Sequence, residues 1–183
     1  RLSLVGSEMC IRDRYITGSF QGTVSFGVTS LTTAGGDDVF VAKLKGTDGT
    51  ELWAKKFGDA SAQVGNSVAV RSNGTVAITG SFQGAIDFGG GTLTGMGSDD
   101  IFLGVLDTNG AYQWQKQFGD ASPQAGTSVA FDPAGNVVLA GYVWGVTDFG
   151  GGDLTSLGFS DSFLVKFNGA GEVGDRTLFV PLV

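Results

Sequence analysis

A seven-residue string occurs twice in this chain without change, as ITGSFQG at residues 16–22 and again at residues 78–84. A looser copy, LAGYVWG, follows at residues 139–145. The steps between the copies are 62 and 61 residues, so the chain is a tandem array of three units of about 61 residues. Units in such arrays bury their apolar faces against their neighbours, so the repeat restricts the fold to stacked supersecondary units.

The composition favours a turn-rich β protein. Glycine accounts for 32 of 183 residues while 42% of the residues are hydrophobic, and no triplet period accompanies the glycines. This combination differs from both collagen and disordered chains. The net charge is −7 and the 11 Lys and Arg residues are scattered, so we expect no nucleic-acid partner. No apolar run is long enough to cross a bilayer as a helix, so we also expect no membrane span.

Two residue types are nearly or wholly absent, and this excludes several kinds of chemistry. The chain contains no His, and Cys10 is its only cysteine. A His-based catalytic triad, a His or multi-Cys zinc site and an intrachain disulfide are therefore excluded.

The middle unit predicts four strands. Residues 67–71 alternate and end at an Asn-Gly hairpin signal, and residues 75–82 form the second strand. Residues 100–107 form a third strand that is apolar on both faces, which predicts cover by other sheets above and below. A Gly-rich connection, residues 83–98, joins the second strand to the third, and after a second Asn-Gly turn residues 112–118 form the fourth strand. No helical period of useful length occurs.

Phenylalanine recurs at one position of the third strand, as Phe40, Phe102 and Phe163. We expect these rings to lie between successive units and to carry the contacts between sheets. Since Phe163 belongs to the last unit, we expect its truncation to be less destabilising than that of Phe102.

Four antiparallel strands per unit, stacked face to face, are typical of β-propeller blades. We therefore predict an all-β fold, an incomplete β-propeller of three four-stranded antiparallel blade repeats. Residues 15–59 form a partial repeat without its opening strand, residues 60–120 a complete one, and residues 121–183 a repeat with a divergent C-terminal end. Closed propellers have about four to eight blades, so we expect these units to belong to a longer array.

Four motifs of the units carry a family resemblance: VAITGSF at 76–82, DFGGGTLT at 87–94, SDDIFL at 98–103 and QWQKQFG at 113–119. Together they resemble the bacterial SBBP repeat, the seven-bladed β-propeller repeat, and the resemblance covers about residues 15–170. It implies a non-catalytic propeller of secreted or surface proteins, hence an extracellular or cell-surface location. It supplies no catalytic residues.

Residues 1–14 match nothing later in the chain. The run from Ser3 to Arg14 resembles sequencing-adapter DNA translated as protein. We therefore interpret residues 1–14 as a non-native segment and expect them to contribute no repeat-like contact.

Acidic residues recur before the third strand of each unit and are candidate Ca²⁺ ligands, since Ca²⁺ takes six to eight oxygens. The candidates are Asp37, Asp38, Asp99, Asp100 and Asp161. Asp59 and Asp120 recur after the fourth strand, at the same end of the unit. The alternative is structural, because Asp often begins strands and turns by bonding nearby backbone. We expect no resident cofactor, with Ca²⁺ as the open alternative.

Trp144 breaks the repeat, because the other two units carry Gln21 and Gln83 at its position. A large aromatic side chain at a loop can stack on a sugar or anchor a protein partner. It can equally cover a neighbouring unit.

These features favour a non-catalytic scaffold or binding module for a protein or carbohydrate ligand. The alternative is a propeller-type hydrolase or lyase that uses acidic loop residues as acid and base. An enzyme would need carboxylates unique to one unit, whereas the acidic residues here repeat in every unit.

Overall fold

The computed structural model describes residues 2–5, 13–174 and 178–180, and all its regular elements there are β-strands. The all-β class is therefore confirmed. No helix in the described part of the chain is long and apolar enough to span a membrane.

Three four-stranded antiparallel sheets form the body of the protein, each with its strands in chain order across the sheet. Sheet 1 consists of β1 (Leu2–Val5), β2 (Arg14–Phe20), β5 (Asp38–Leu44) and β6 (Glu51–Phe57). Sheet 2 consists of β7 (Gln63–Val70), β8 (Val76–Phe82), β11 (Asp100–Leu106) and β12 (Tyr112–Phe118). Sheet 3 consists of β13 (Gln124–Phe131), β14 (Val137–Val143), β17 (Asp161–Phe167) and β18 (Leu178–Val180).

Each sheet also carries a small two-stranded hairpin between its second and third strands. The hairpins are β3 (Thr23–Ser25) with β4 (Ser30–Thr32), β9 (Ala85–Ile86) with β10 (Leu93–Thr94), and β15 (Val146–Asp148) with β16 (Asp153–Thr155). The sequence pattern predicts a Gly-rich connection here. Phe88 of the second hairpin packs on Phe102 of its own sheet and on Phe57 of the preceding one, with ring centroids 5.4 and 4.6 Å apart. The third hairpin repeats the arrangement, because Phe149 packs on Phe163 of its own sheet and on Phe118 of the preceding one. The second and third hairpins therefore contribute to the packing between sheets.

The third strand of sheet 2 is buried on both faces, as predicted. Phe102 and Leu106 share a core cluster with Val39 and Val41 of sheet 1. Ile101, Leu103 and Val105, on the other face, share a cluster with Phe163, Val165 and Phe167 of sheet 3. The sheets therefore stack face to face in chain order.

The stacking direction corrects one expectation about the three phenylalanines. The face that bears Phe102 or Phe163 points towards the preceding sheet, so Phe163 is buried between sheets 2 and 3. Among the described residues no sheet precedes that of Phe40, and the cluster that contains Phe40 consists of residues of the first unit alone. The ring that lacks a neighbouring unit is therefore that of Phe40. The sequence could not indicate this, because a strand that is apolar on both faces does not show which of its faces packs on the preceding unit.

The first unit has an opening strand, contrary to expectation. β1 pairs with β2 in antiparallel register, with Leu2 opposite Gly18 and Val5 opposite Tyr15. The free edge of β2 presents unpaired backbone groups, and an adjacent extended segment satisfies them. Asp13 is also engaged, since its Oδ2 lies 3.2 Å from Lys43 Nζ. That residues 1–14 originate from adapter DNA stays a prediction.

The strand bounds agree closely with sequence analysis except at β7. The fourth strand was predicted at residues 112–118, which is β12, whereas β7 begins four residues before the predicted start at residue 67. The ladder between β7 and β8 shifts register between Gly65 and Ser67. This bulge interrupts the alternation on which the prediction depended. Of the predicted divergent C-terminal end, residues 175–177 and 181–183 lie outside the described residues, and residues 178–180 form β18.

Candidate functional site

The predicted site residues lie at one end of the sheets, where the second strand leads to the third and each sheet connects to the next. Asp38, Asp100 and Asp161 open β5, β11 and β17, and all three are buried. In each case Oδ2 accepts a hydrogen bond from the backbone N–H four residues earlier, donated by Ala34, Met96 and Leu157 respectively. Each carboxylate thus closes the loop before its strand, which is the structural role that Asp commonly plays.

Asp37 and Asp99 precede these buried residues and are half-buried. Their carbonyl oxygens accept hydrogen bonds from the backbone N–H of Gln63 and Gln124, both at 2.7 Å. Within the described residues, no three acidic side chains gather as a possible metal site. The structure therefore does not bring the five predicted Ca²⁺ ligands together, and the absence of a resident cofactor stays a prediction.

The buried carboxylates differ in their charge partners. Asp38 pairs with Lys56, whose Nζ lies 2.7 Å from Oδ2. In sheet 2 the position of Lys56 is held by Gln117, whose side chain donates to the carbonyl of Thr94 instead. The Oδ1 atoms of Asp38 and Asp100 are alike, since both are buried and have no hydrogen-bond partner among the described residues. Burial raises the pKa of Asp100, and the nearby carboxylates of Asp120 and Asp99 raise it further, against one lowering bond from Met96.

Asp59 and Gln63 form a lock between the end of sheet 1 and the start of sheet 2. Gln63 Nε2 donates to Asp59 Oδ1 at 2.7 Å and to the carbonyl of Gln83 at 2.9 Å. Asp59 Oδ2 accepts from the backbone N–H of Ala85 at 2.9 Å. Burial acts to raise the pKa of Asp59, but bonds from Ser61, Gln63 and Ala85 outweigh it and hold the pKa below its usual value.

The same lock recurs one unit later. Gln124 Nε2 donates to Asp120 Oδ1 at 2.6 Å and to the carbonyl of Trp144 at 2.8 Å, while Val146 N–H donates to Asp120 Oδ2 at 2.8 Å. The recurrence explains why acidic residues follow the fourth strand in both units. Their carboxylates accept the hydrogen bonds that join one sheet to the next.

The three tryptophans divide into two groups. The indoles of Trp53 and Trp114 each donate a 3.0 Å hydrogen bond to a turn of the next unit, at the carbonyls of Thr108 and Gly169. Trp144 makes no such bond within the described part of the chain and is 38% exposed. Its ring meets Phe159 edge-on at 6.0 Å with planes 66° apart, and Phe159 is 82% exposed.

We call Trp144, Leu157 and Phe159 the aromatic corner, because Leu157 is also exposed and lies in the same loop as Phe159. In the second unit the matching position pairs Gln83 with Asp99, whose side chains are joined by a 3.1 Å hydrogen bond. In the third unit Trp144 replaces Gln83, Phe159 replaces Ser98 and Ser160 replaces Asp99. A hydrogen-bonded polar pair in the second unit therefore corresponds to an exposed aromatic pair in the third unit.

The sequence pattern indicates Trp144 as a candidate binding residue but does not indicate Phe159. The available signal was the repeat itself, since Gly36 and Ser98 are the small residues that Phe159 replaces. In the first unit this loop is covered by the connection to the next sheet, where Gly36 N–H donates to the carbonyl of Ala60 at 3.0 Å. The loop approaches the connection equally closely in both units, since a Cβ added at Gly35 would come within 2.8 Å of Ala60 Cα and one added at Gly97 within 2.7 Å of Ala121 Cα.

No protein-family model matches the chain, and no curated protein sequence matches it.

Proposed function

We propose that this chain is a non-catalytic repeat module that binds a protein or carbohydrate ligand through the aromatic corner. The sheets are blades of an incomplete β-propeller related to the SBBP repeats, in a secreted or cell-surface bacterial protein. The 61-residue step, the chain-order strands of each sheet and the face-to-face stacking support this architecture.

The single observation that supports a binding role is the replacement of a hydrogen-bonded polar pair by exposed aromatic side chains. Exposed Trp and Phe side chains that lie together are unusual on a soluble surface and typical of interaction sites. The two ring planes lie 66° apart, so the rings present an angled surface rather than a flat platform. This shape suits an apolar protein side chain better than the flat face of a sugar, which stacks on a single ring.

The alternative is a propeller-type hydrolase or lyase, which would need acidic side chains free to act as acid and base. The repeated carboxylates of Asp59 and Asp120 accept several hydrogen bonds each from the connections between sheets. Such engagement suits a structural role and therefore favours the binding module.

The experiment compares wild type with Trp144→Gln and Phe159→Ser on arrays of glycans and of bacterial envelope proteins. The substitutions restore residues that other units carry at these positions. Val28→Ser serves as the matched control, because Val28 is an 85% exposed apolar residue of the first unit. A ligand lost by both corner variants and kept by the control supports the proposal. Equal binding by all variants, or no wild-type ligand on either array, contradicts it.

A further inference from the structure

A groove of about 140 Å³ lies between the second and third units, at the opposite end of β14 from the aromatic corner. It is lined by the buried side chains of Val105 and Val137 and by Trp114 and Phe131. The polar side chains of Asn73 and Gln113 also line it. The space is close to that of an engineered apolar cavity of about 150 Å³ that admits benzene.

Arg71 supplies the positive charge at this groove. Its guanidinium donates a 3.4 Å hydrogen bond to the carbonyl of Ala134 in the third unit. No carboxylate lies within ion-pair distance of Arg71 among the described residues, although the chain as a whole carries a net charge of −7. The guanidinium of an arginine that has no carboxylate partner can donate two parallel hydrogen bonds, and this geometry matches the two oxygens of a carboxylate.

The junction between the first and second units shows what fills the matching space there. Val105 repeats Lys43, and the Nζ of Lys43 reaches Thr108 Oγ1 at 3.3 Å across that junction. The same Nζ lies 3.2 Å from Asp13 Oδ2 and 5.4 Å from the centre of the Tyr15 ring. A cation, a carboxylate and an aromatic ring therefore meet at the first junction.

The groove at the second junction has a cation, Arg71, and an aromatic ring, Trp114. Val105 is shorter than the matching Lys43, and none of the described residues that line the groove is acidic. We infer that the groove binds a small organic carboxylate, with its charge on Arg71 and its apolar body against Trp114 and Phe131. This inference does not depend on the proposed function of the aromatic corner.

The test uses benzoate as the probe and benzamide as its uncharged counterpart. Binding is followed by NMR at the Arg71 Nε–Hε and Trp114 indole N–H resonances of the ¹⁵N-labelled protein. We expect saturable shifts with benzoate at a Kd on the order of 1 mM, as suits so small a ligand, and at least a tenfold weaker response to benzamide.

Two variants identify the site, and one controls for charge. Arg71→Gln removes the cation, and Val105→Lys fills the space as Lys43 does at the first junction, so both should abolish the benzoate shifts. Lys45→Gln removes an exposed cation at another turn and should leave them unchanged. Amide spectra establish that each variant is folded. Equal shifts by benzamide, unchanged binding by Arg71→Gln, or no saturable shift at all would overturn the inference.

Discussion

Lys56 Nζ lies 2.7 Å from the buried Asp38 Oδ2. The matching carboxylate in the next sheet, Asp100, has no cation within ion-pair distance among the described residues. Two acids at equivalent positions of one repeat therefore sit in opposite electrostatic surroundings.

The first prediction concerns how stability depends on pH through Asp100. Its folded-state pKa is raised above the usual value of about 3.9 by burial and by two nearby carboxylates. A group raised in this way stabilises the fold below its unfolded pKa, and the contribution is lost as the pH rises through the folded pKa. Asp100→Asn should therefore equal wild type near pH 3 and exceed its stability at neutral pH, as measured by urea unfolding across the range.

Asp38→Asn is the matched control for that experiment. It removes the charge partner of Lys56 and should destabilise the protein by about 1–3 kcal/mol at neutral pH, because a buried charge-assisted bond is lost. If both variants shift stability in the same direction at neutral pH, the contrast between the two carboxylates is wrong.

The second prediction concerns the phenylalanines between sheets. Phe102→Ala and Phe163→Ala should each destabilise by about 3–5 kcal/mol, because both rings are buried between two sheets. Phe40→Ala should lower the free energy of unfolding by less, because the cluster that contains Phe40 lies at the end of the stack and can collapse around the gap. Denaturant midpoints of the three variants make the comparison. A smaller loss for Phe163→Ala than for Phe40→Ala would contradict the observed stacking direction.

The third prediction concerns the lock between sheets. Gln124→Ala should destabilise by about 1–3 kcal/mol, because it removes the hydrogen bonds that Gln124 donates to the carbonyl of Trp144 and to Asp120 Oδ1. Gln63→Ala should have a similar effect at the first junction. Gln113→Ala, at an exposed position of β12, should stay within about 0.5 kcal/mol of wild type in the same unfolding assay.

The fourth prediction is that Trp53 and Trp114 contribute more to stability than Trp144 does. Trp53→Phe and Trp114→Phe should each cost about 1 kcal/mol through the lost indole hydrogen bond to the next unit. Trp144→Phe should change stability by less than about 0.5 kcal/mol. Acrylamide quenching of single-tryptophan variants provides a second check, with Trp144 the most accessible. Equal quenching of all three indoles would refute the assignment.

The fifth prediction concerns β1. Deletion of residues 1–5 should lower the thermal midpoint, because β2 would lose the strand paired along its edge. An unchanged midpoint would instead support the interpretation that residues 1–14 are foreign to the fold.

The repeat made most of the fold predictable, because each strand could be compared with two others. β12 was placed to the residue, and the double-sided burial of β11 followed from its apolar residues on both faces. The pairing of β9 with β10 could not be predicted from the sequence, because each strand is two residues long and glycines surround them. The pairing of β1 was not anticipated, since free backbone at a sheet edge accepts segments with no repeat pattern.

The candidate site was less predictable. Trp144 could be found because it departs from two identical predecessors, whereas Phe159 departs from two different small residues, Gly36 and Ser98. The groove at Arg71 depends on Val105 being shorter than Lys43 at a junction between units. Such a space arises from packing across the chain and has no signature within one stretch of sequence.

The direction of stacking has a consequence for synthesis on the ribosome, where the N-terminal part emerges first. A newly emerged unit has one face already covered by its own hairpin, as Phe26 covers Phe40 and Phe88 covers Phe102. Its other face, such as that of Ile101, Leu103 and Val105, stays open until the following unit appears. The nascent chain therefore carries one exposed apolar surface at a time, and that surface advances by one unit with every 61 residues translated.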